Sequence, residues 1–171
     1  TGAKLTYRQL FMRLFVLGSF IEQQTKPGDR VGVMLPSTVA GVVTLLACLA
    51  RGRIAAMLNF TAGARGLVIA CETADINVIY TSKAFIEGGD LHAEIEALEK
   101  VAQIVYLEDF RERVTLPLKL KALVAGIFPS RTYRNHVPNS SADDEAVVLF
   151  TSGSEGVPKG VVLTHRCLLY T

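Results

Sequence analysis

Residues 147–165 read Val147-Val-Leu-Phe-Thr-Ser-Gly-Ser-Glu-Gly-Val-Pro-Lys-Gly-Val-Val-Leu-Thr-His165. Two apolar, β-branched runs enclose a segment of glycine, hydroxyl and lysine residues. Such runs, bounded by turn-forming residues, are typical of buried strands. We therefore predict strands at 147–150 and 161–163, with residues 151–160 forming the turn between them.

The predicted turn has the composition of an anion-binding loop. Its glycines, at 153, 156 and 160, permit backbone angles that bring successive N–H groups to one side. Hydroxyl groups and the mobile charge of Lys159 add further donors, and Pro158 stiffens the loop before that lysine. A triphosphate suits such a site, because its charge is costly to bury without several donors. The hydroxyl residues are Thr151, Ser152 and Ser154.

The same loop residues have two other possible interpretations. A Walker A loop requires Gly-Lys-Ser/Thr after four intervening residues and a helix next. Here a glycine follows Lys159 and a strand is predicted after the loop, so Walker A is excluded. An ordinary glycine-rich hairpin is the other alternative, since small polar residues dominate turns. The ordered set of hydroxyls, glycines and lysine favours the phosphate loop.

The segment Thr151-Ser-Gly-Ser-Glu-Gly-Val-Pro-Lys-Gly160 resembles the phosphate-binding signature of the adenylate-forming enzymes. These include acyl-CoA synthetases, luciferases, peptide-synthetase adenylation domains and acyl-acyl-carrier-protein synthetases. Residues 5–10 and 29–36 are similar to the family's opening helix and first core strand. Residues 52–67, 80–85 and 105–109 resemble one branch, the acyl-acyl-carrier-protein synthetase half of the bifunctional 2-acylglycerophosphoethanolamine acyltransferases. The resemblance covers nearly the whole chain, more weakly at 111–143.

The resemblance implies an ATP-dependent fatty acyl ligase. A fatty-acid carboxylate would attack the α-phosphate of ATP to give acyl-adenylate, and the thiol of acyl-carrier protein or coenzyme A would take the acyl group. The implied product serves lysophospholipid reacylation, a membrane-associated part of phospholipid metabolism. The implied phosphate-binding residues are Thr151, Ser152, Gly153, Ser154, Glu155, Gly156 and Lys159.

Glu155 is the exception among the anion donors of the loop. Its carboxylate either faces solvent or touches Mg²⁺ or a water bound to it.

No residue of this chain is predicted to be catalytic. The resemblance implies that the adenine-binding Tyr-Gly-x-Thr-Glu motif, a ribose-binding aspartate and the catalytic lysine lie beyond Thr171. We expect the chain alone to form no acyl-adenylate. The alternative is a non-catalytic module that binds a nucleotide or anion, or docks on a membrane.

Histidine and cysteine residues point to no further chemistry. The His-x4-Asp acyltransferase signature is absent, and we predict that His165 begins a helix rather than acting in catalysis. Cys48, Cys71 and Cys167 lack metal-ligand spacing and are expected to be reduced, mostly buried thiols. With no leader sequence visible, a cytoplasmic location is expected, with the inner face of the bacterial inner membrane as an alternative.

Length and composition predict one globular domain. The chain has 171 residues, half of them hydrophobic, which suffices for one buried core. Its formal charge of +2 does not indicate a nucleic-acid partner. Strands predicted at 54–58, 77–81 and 103–107 alternate with helices at 6–24, 62–73 and 91–100, with a loop at 88–89. This alternation predicts a largely parallel sheet flanked by helices.

Residues 31–50 carry no charge and are long enough to cross a bilayer. Pro36-Ser37-Thr38 divides this run, so we predict a strand at 31–35 and a helix with Thr38 as its N-cap. The predicted organisation has three parts, all within a partial N-terminal AMP-binding domain that spans 1–171. They are β-α units at about 1–110, a variable basic segment at 111–142 and the phosphate-loop hairpin at 147–165.

The basic segment has six lysine and arginine residues against Glu112 within 111–136, interleaved with leucines and other apolar residues. It could lie on an anionic membrane or contact an acidic carrier protein. The competing interpretation is a solvated helix that packs its leucines on the sheet. Pro117 and Pro129 are expected to interrupt any long surface helix.

Overall fold

The computed structural model describes residues 5–152 and 158–170. Six strands in these ranges form one sheet in the order β4-β3-β1-β2-β5-β6. Strands β1 to β5 are parallel, and β6 pairs with β5 in antiparallel fashion. The predicted fold class is confirmed. The strands are β1 (Arg30–Val33), β2 (Ile54–Met57), β3 (Val78–Thr81), β4 (Gln103–Tyr106), β5 (Glu145–Ser152) and β6 (Pro158–Thr164).

Helices cover both faces of the sheet because successive strand residues point to opposite sides. Val31, Val33 and Tyr80 face a core shared with α1, α2 and α7, whereas Ile79 and Val148 face a second core under α3 to α5. The helices are α1 (Tyr7–Gln24), α2 (Val39–Leu49), α3 (Gly63–Thr73), α4 (Lys83–Gly89), α5 (His92–Leu98), α6 (Leu107–Arg113), α7 (Leu116–Ile127), α8 (Pro129–His136) and α9 (His165–Tyr170).

The uncharged run at 31–50 forms a buried β-α unit, as predicted. Thr38 has extended backbone angles at the N-cap of α2 but makes no capping hydrogen bond with its side chain. Within the described ranges, every helix falls short of the length and apolar character that crossing a membrane requires.

The prediction of a loop at Gly88-Gly89 was wrong, because these glycines form the last turn of helix α4. Ser82 begins this helix by accepting a hydrogen bond from the Phe85 amide at 3.4 Å. Glu108 binds the Ser82 hydroxyl at 2.7 Å, which fixes the cap from a neighbouring helix. Asp90, with a φ of 50°, ends the helix in a left-handed conformation. A long-range contact thus outweighs the low helix propensity of glycine.

The basic segment is helical, and Leu118 of α7 packs against the core that the sheet shares with α1 and α2. Helix α7 packs against α1, where a Cβ on Gly126 would lie 3.3 Å from the Cβ of Phe11. Pro117 and Pro129 occupy the first turns of α7 and α8. As predicted, no long helix forms here: α6, α7 and α8 are separate short helices. Each proline lies in a first turn, which does not need the missing amide hydrogen.

Two buried arginines join α1 to the connection between α2 and β2. Arg51 donates to Glu22 at 3.1 Å, and its guanidinium lies 5.8 Å from the ring centre of Phe15. Arg53 donates to the hydroxyl of Thr25 at 3.0 Å and to backbone carbonyls. Both arginine pKa values are lowered, first because burial disfavours the charged form. Glu22 also lies 3.5 Å from His136 of α8.

We expect Glu22→Gln to lower the free energy of unfolding by about 1–2 kcal/mol, because the buried Arg51 guanidinium loses its countercharge while keeping one acceptor. Urea denaturation of the purified chain measures this difference. Glu87→Gln, at an exposed position of α4, is the matched control and should stay within about 0.5 kcal/mol of the parent. Equal losses in the two variants would contradict a structural role for the Glu22–Arg51 pair.

Candidate functional site

The hairpin of β5 and β6 is longer than its sequence pattern predicted. Thr151 pairs with Lys159 and Ser152 with Pro158, so the ladder continues into the predicted turn. The prediction that residues 151–160 all form the turn was therefore wrong. Residues 153–157, which include the predicted phosphate-binding residues Gly153, Ser154, Glu155 and Gly156, lie outside the described residues.

Thr151 and Lys159 face each other across the two strands. Both side chains are exposed, and the Thr151 hydroxyl donates a long hydrogen bond of 3.5 Å to the Lys159 carbonyl. Directly opposed residues in an antiparallel pair project from the same face, with Cβ atoms about 5 Å apart. The structure thus places Thr151 and Lys159 directly opposite each other at the last described pairs of the hairpin.

Strand β5 ends at the carboxyl edge of the parallel sheet. Strand β5 runs parallel to β2, with Ala55 opposite Val147 and Met57 opposite Leu149. Its carboxyl end therefore lies beside the connection from β2 to α3. Ligands of open α/β sheets bind at this edge, where loops leave the carboxyl ends of the strands.

Helix α3 contacts β6. Asn59 accepts hydrogen bonds from the Thr61 amide at 3.1 Å and the Thr61 hydroxyl at 2.8 Å, which orders the connection into α3. A Cβ on Gly66 would lie 3.0 Å from the Cβ of Ala62 and 3.9 Å from Cγ of Pro158. Gly66 of α3 therefore lies beside Pro158, the first residue of β6, and the tighter contact is with Ala62 at the start of α3. The sequence prediction did not single out these residues, although a glycine inside an amphipathic helix signals such a close approach.

The opposite end of the hairpin is fixed by a helix cap and an ion pair. Thr164 accepts a hydrogen bond from the Cys167 amide at 3.2 Å, so His165 begins α9, as predicted. Arg166 binds both carboxylate oxygens of Asp143, at 2.7 and 3.1 Å. His165 lies six positions after Lys159 along an extended strand, which corresponds to a separation of about 20 Å. This geometry keeps His165 away from the turn.

Other clusters in the described ranges contribute nothing to this site. Glu96 and Glu99 are exposed on the surface around α5. The described residues contain no group of three or more histidine, cysteine or acidic side chains that could hold a metal ion. Cys48 and Cys71 are buried, as predicted, whereas Cys167 is exposed.

A protein-family model described as "AMP-binding enzyme" matches residues 1–171. The chain belongs to the AMP-binding enzyme family. It is 28% identical to an acetyl-coenzyme A synthetase of Dictyostelium discoideum, over 98% of this chain and 26% of that protein. It is 29% identical to the medium-chain fatty-acid–CoA ligase of Escherichia coli, over 98% of this chain and 30% of the ligase. The chain thus spans less than a third of the length of these relatives.

A solved structure shows the same fold. The o-succinylbenzoate coenzyme A synthetase of Bacillus subtilis, in complex with AMP, superposes with a TM-score of 0.66 at 17% identity. The match covers 96% of this chain and 37% of that enzyme. Together with the strand order, it identifies the described α/β sheet as the fold of the N-terminal domain of AMP-binding enzymes.

The cap at Thr164 gives a prediction about thiol reactivity. A hydrogen bond from the Thr164 hydroxyl lowers the pKa of the exposed Cys167 thiol, whereas burial raises the pKa of Cys48 and of Cys71 to about 12. Near pH 8, an aromatic disulfide reagent should label Cys167 rapidly, and Cys48 and Cys71 only after denaturation.

Thr164→Val should slow the labelling of Cys167, because the thiol pKa rises when the hydroxyl donor is lost. Thr115→Val, at an exposed position without a cysteine contact, is the control. Labelling rates measured across pH report the pKa of the thiol directly. An unchanged pH profile in Thr164→Val would show that the cap does not form as described.

Proposed function

We propose that this chain is the nucleotide-phosphate-binding part of an AMP-forming acid–thiol ligase that activates a fatty acid. The observation that carries the proposal is the placement of Thr151 and Lys159 opposite each other at the carboxyl end of β5. The family match over the whole chain supports it. A hydroxyl and a mobile ammonium group at a glycine-rich turn are suited to holding the oxygens of a polyphosphate.

On this proposal, the hydroxyls of Thr151, Ser152 and Ser154 and the amides of residues 153–156 hold the β- and γ-phosphates of ATP. Lys159 neutralises the charge that develops as pyrophosphate leaves. Charge stabilisation and positioning are the main contributions of such a site to catalysis. Mg²⁺ would be held chiefly by the phosphates, which fits a loop whose one carboxylate is Glu155.

The proposed acceptor thiol belongs to an acyl-carrier protein. Residues 52–67, 80–85 and 105–109 favour that branch by their resemblance. The relatives named above act, by their names, with coenzyme A, which is the alternative acceptor.

We further propose that the acyl group serves lysophospholipid reacylation at the inner face of the bacterial inner membrane. The division into β-α units at 1–110, a basic segment at 111–142 and a hairpin at 147–165 belongs to the same proposal.

The relatives are three to four times longer than this chain, since it covers 26–30% of them. We therefore assign to the 171-residue chain the phosphate-binding step and no acyl-adenylate formation. ATP-dependent release of pyrophosphate by the purified chain, abolished by Lys159→Ala, would contradict this assignment. The alternative, a module that binds a nucleotide without catalysing a reaction, predicts the same binding by this chain. The two proposals differ in whether the longer protein forms acyl-adenylate when it is assayed with ATP and a fatty acid.

Lys159→Ala should weaken the binding of tripolyphosphate to the purified chain about tenfold or more, because a charged hydrogen bond is lost. Isothermal titration calorimetry measures the dissociation constant. Lys100→Ala is the control, since Lys100 is an exposed lysine preceding β4 at the opposite edge of the sheet. Thr151→Val should give a smaller loss, as it removes a neutral donor. Equal affinities of the Lys159 and Lys100 variants would contradict the proposed role of Lys159.

A further inference from the structure

Helix α7 is apolar on two opposite sides. Leu118, Ala122 and Ala125 pack toward α1 and the core beneath it. Five large apolar residues point the other way, with exposed fractions between 55% and 70%. Four of them recur at spacings of four, four and three residues, which places them within an arc of about 80° on the helix. We call these five residues the α7 stripe: Leu116, Leu120, Val124, Ile127 and Phe128.

The α7 stripe needs a partner surface. A surface helix normally carries polar residues opposite its buried side. Between Leu116 and Phe128 the only polar side chains are those of Lys119 and Lys121. A contiguous exposed apolar patch of this kind marks a site of interaction with another protein or a membrane.

Positive charge surrounds the α7 stripe. At 100° per residue, Lys119 and Lys121 lie on opposite flanks of it. From position 113 to position 142 the chain has five lysine and arginine residues and no aspartate or glutamate. Helix α1, against which α7 packs, adds the exposed side chains of Arg8 and Arg13.

These cations are not neutralised within the described part of the chain. The ion pairs found there involve Arg30, Arg51, Lys83, His136 and Arg166, and none involves a lysine of α7 or an arginine of α8. The α7 stripe and its flanking lysines are therefore suited to a partner that is both apolar and anionic.

We propose that the α7 stripe, with Lys119 and Lys121, docks on the surface of an anionic lipid bilayer. The helix would lie in the plane of the interface, with its apolar residues at the acyl boundary and the lysines directed to the headgroups. This assigns a physical surface to the membrane location proposed above, and it uses no residue of the β5–β6 hairpin.

Two observations favour lipid over protein. A second copy of the chain would bring the same cations together across a symmetric interface, and like charges oppose such contacts. A specific protein interface also needs about one hydrogen bond per 100–200 Å². Within 116–128 only the two lysines have polar side chains, whereas a lipid surface requires only apolar area and positive charge.

Co-sedimentation with vesicles tests the proposal on the 171-residue chain without ATP, so its outcome is independent of the ligase assignment. The chain should bind phosphatidylcholine vesicles containing about one-third phosphatidylglycerol, and bind pure phosphatidylcholine much more weakly. Lys119→Gln with Lys121→Gln should lower the partition coefficient about tenfold or more and reduce its dependence on salt. Leu120→Gln with Val124→Gln should lower it at least as much.

Matched controls separate this surface from general effects. Val42→Gln replaces another half-exposed apolar residue, on α2, and Lys100→Gln removes an exposed lysine elsewhere. Both should bind vesicles like the parent, and circular dichroism should show all variants folded. Equal binding to neutral and anionic vesicles would overturn the proposal. So would a folded parent that ignores vesicles but forms a dimer, detected by sedimentation velocity, that Leu120→Gln with Val124→Gln disrupts.

Discussion

The parallel pairing of β5 with β2 is the contact on which the rest of the structure depends. It places Ala55 opposite Val147 and Met57 opposite Leu149. The pairing therefore closes a loop of about 90 residues, which costs considerable chain entropy. Burial of Ala146, Val147 and Val148 between the two helical layers offsets that cost. The pairing also places the end of β5 at the carboxyl edge of the sheet, beside the connection from β2 to α3. Without it, Thr151 and Lys159 would lie on an isolated hairpin, which is marginally stable in water.

The same pairing explains where the basic segment lies. Strand β4 is at one edge of the sheet, and the chain must return past β3, β1 and β2 to reach β5. Helices α6 to α8 make this return across the face that already carries α1 and α2. Helix α7 therefore becomes the outermost layer there, packed on α1, with one side facing away from the protein. The exposed apolar surface is thus a result of the topology together with a sequence that is apolar on both sides.

Several features could be predicted from sequence because short-range patterns determine them. Alternation of apolar strands with amphipathic helices predicted the parallel sheet, and Pro36-Ser37-Thr38 predicted the break between β1 and α2. The Thr164-His165 step predicted the start of α9. The ordered residues of the loop predicted the family, which its match confirms. The assignment of individual phosphate contacts stays a prediction.

Other features depend on partners far away in the chain. Helix α4 forms despite Gly88-Gly89 because Glu108 fixes its cap. Arg51 and Arg53 are buried because Glu22, Thr25 and carbonyl groups meet them from α1. None of these partners is visible in a local window of sequence.

The central claim is that phosphates bind at the turn between β5 and β6. Backbone amide NMR of the ¹⁵N-labelled chain during titration with tripolyphosphate tests it most directly, because each amide reports its own surroundings. The account predicts shifts confined to residues 151–160 and the first turn of α3, saturating together. Shifts centred on the cations of α7 and α8, with the hairpin amides unmoved at saturation, would contradict it.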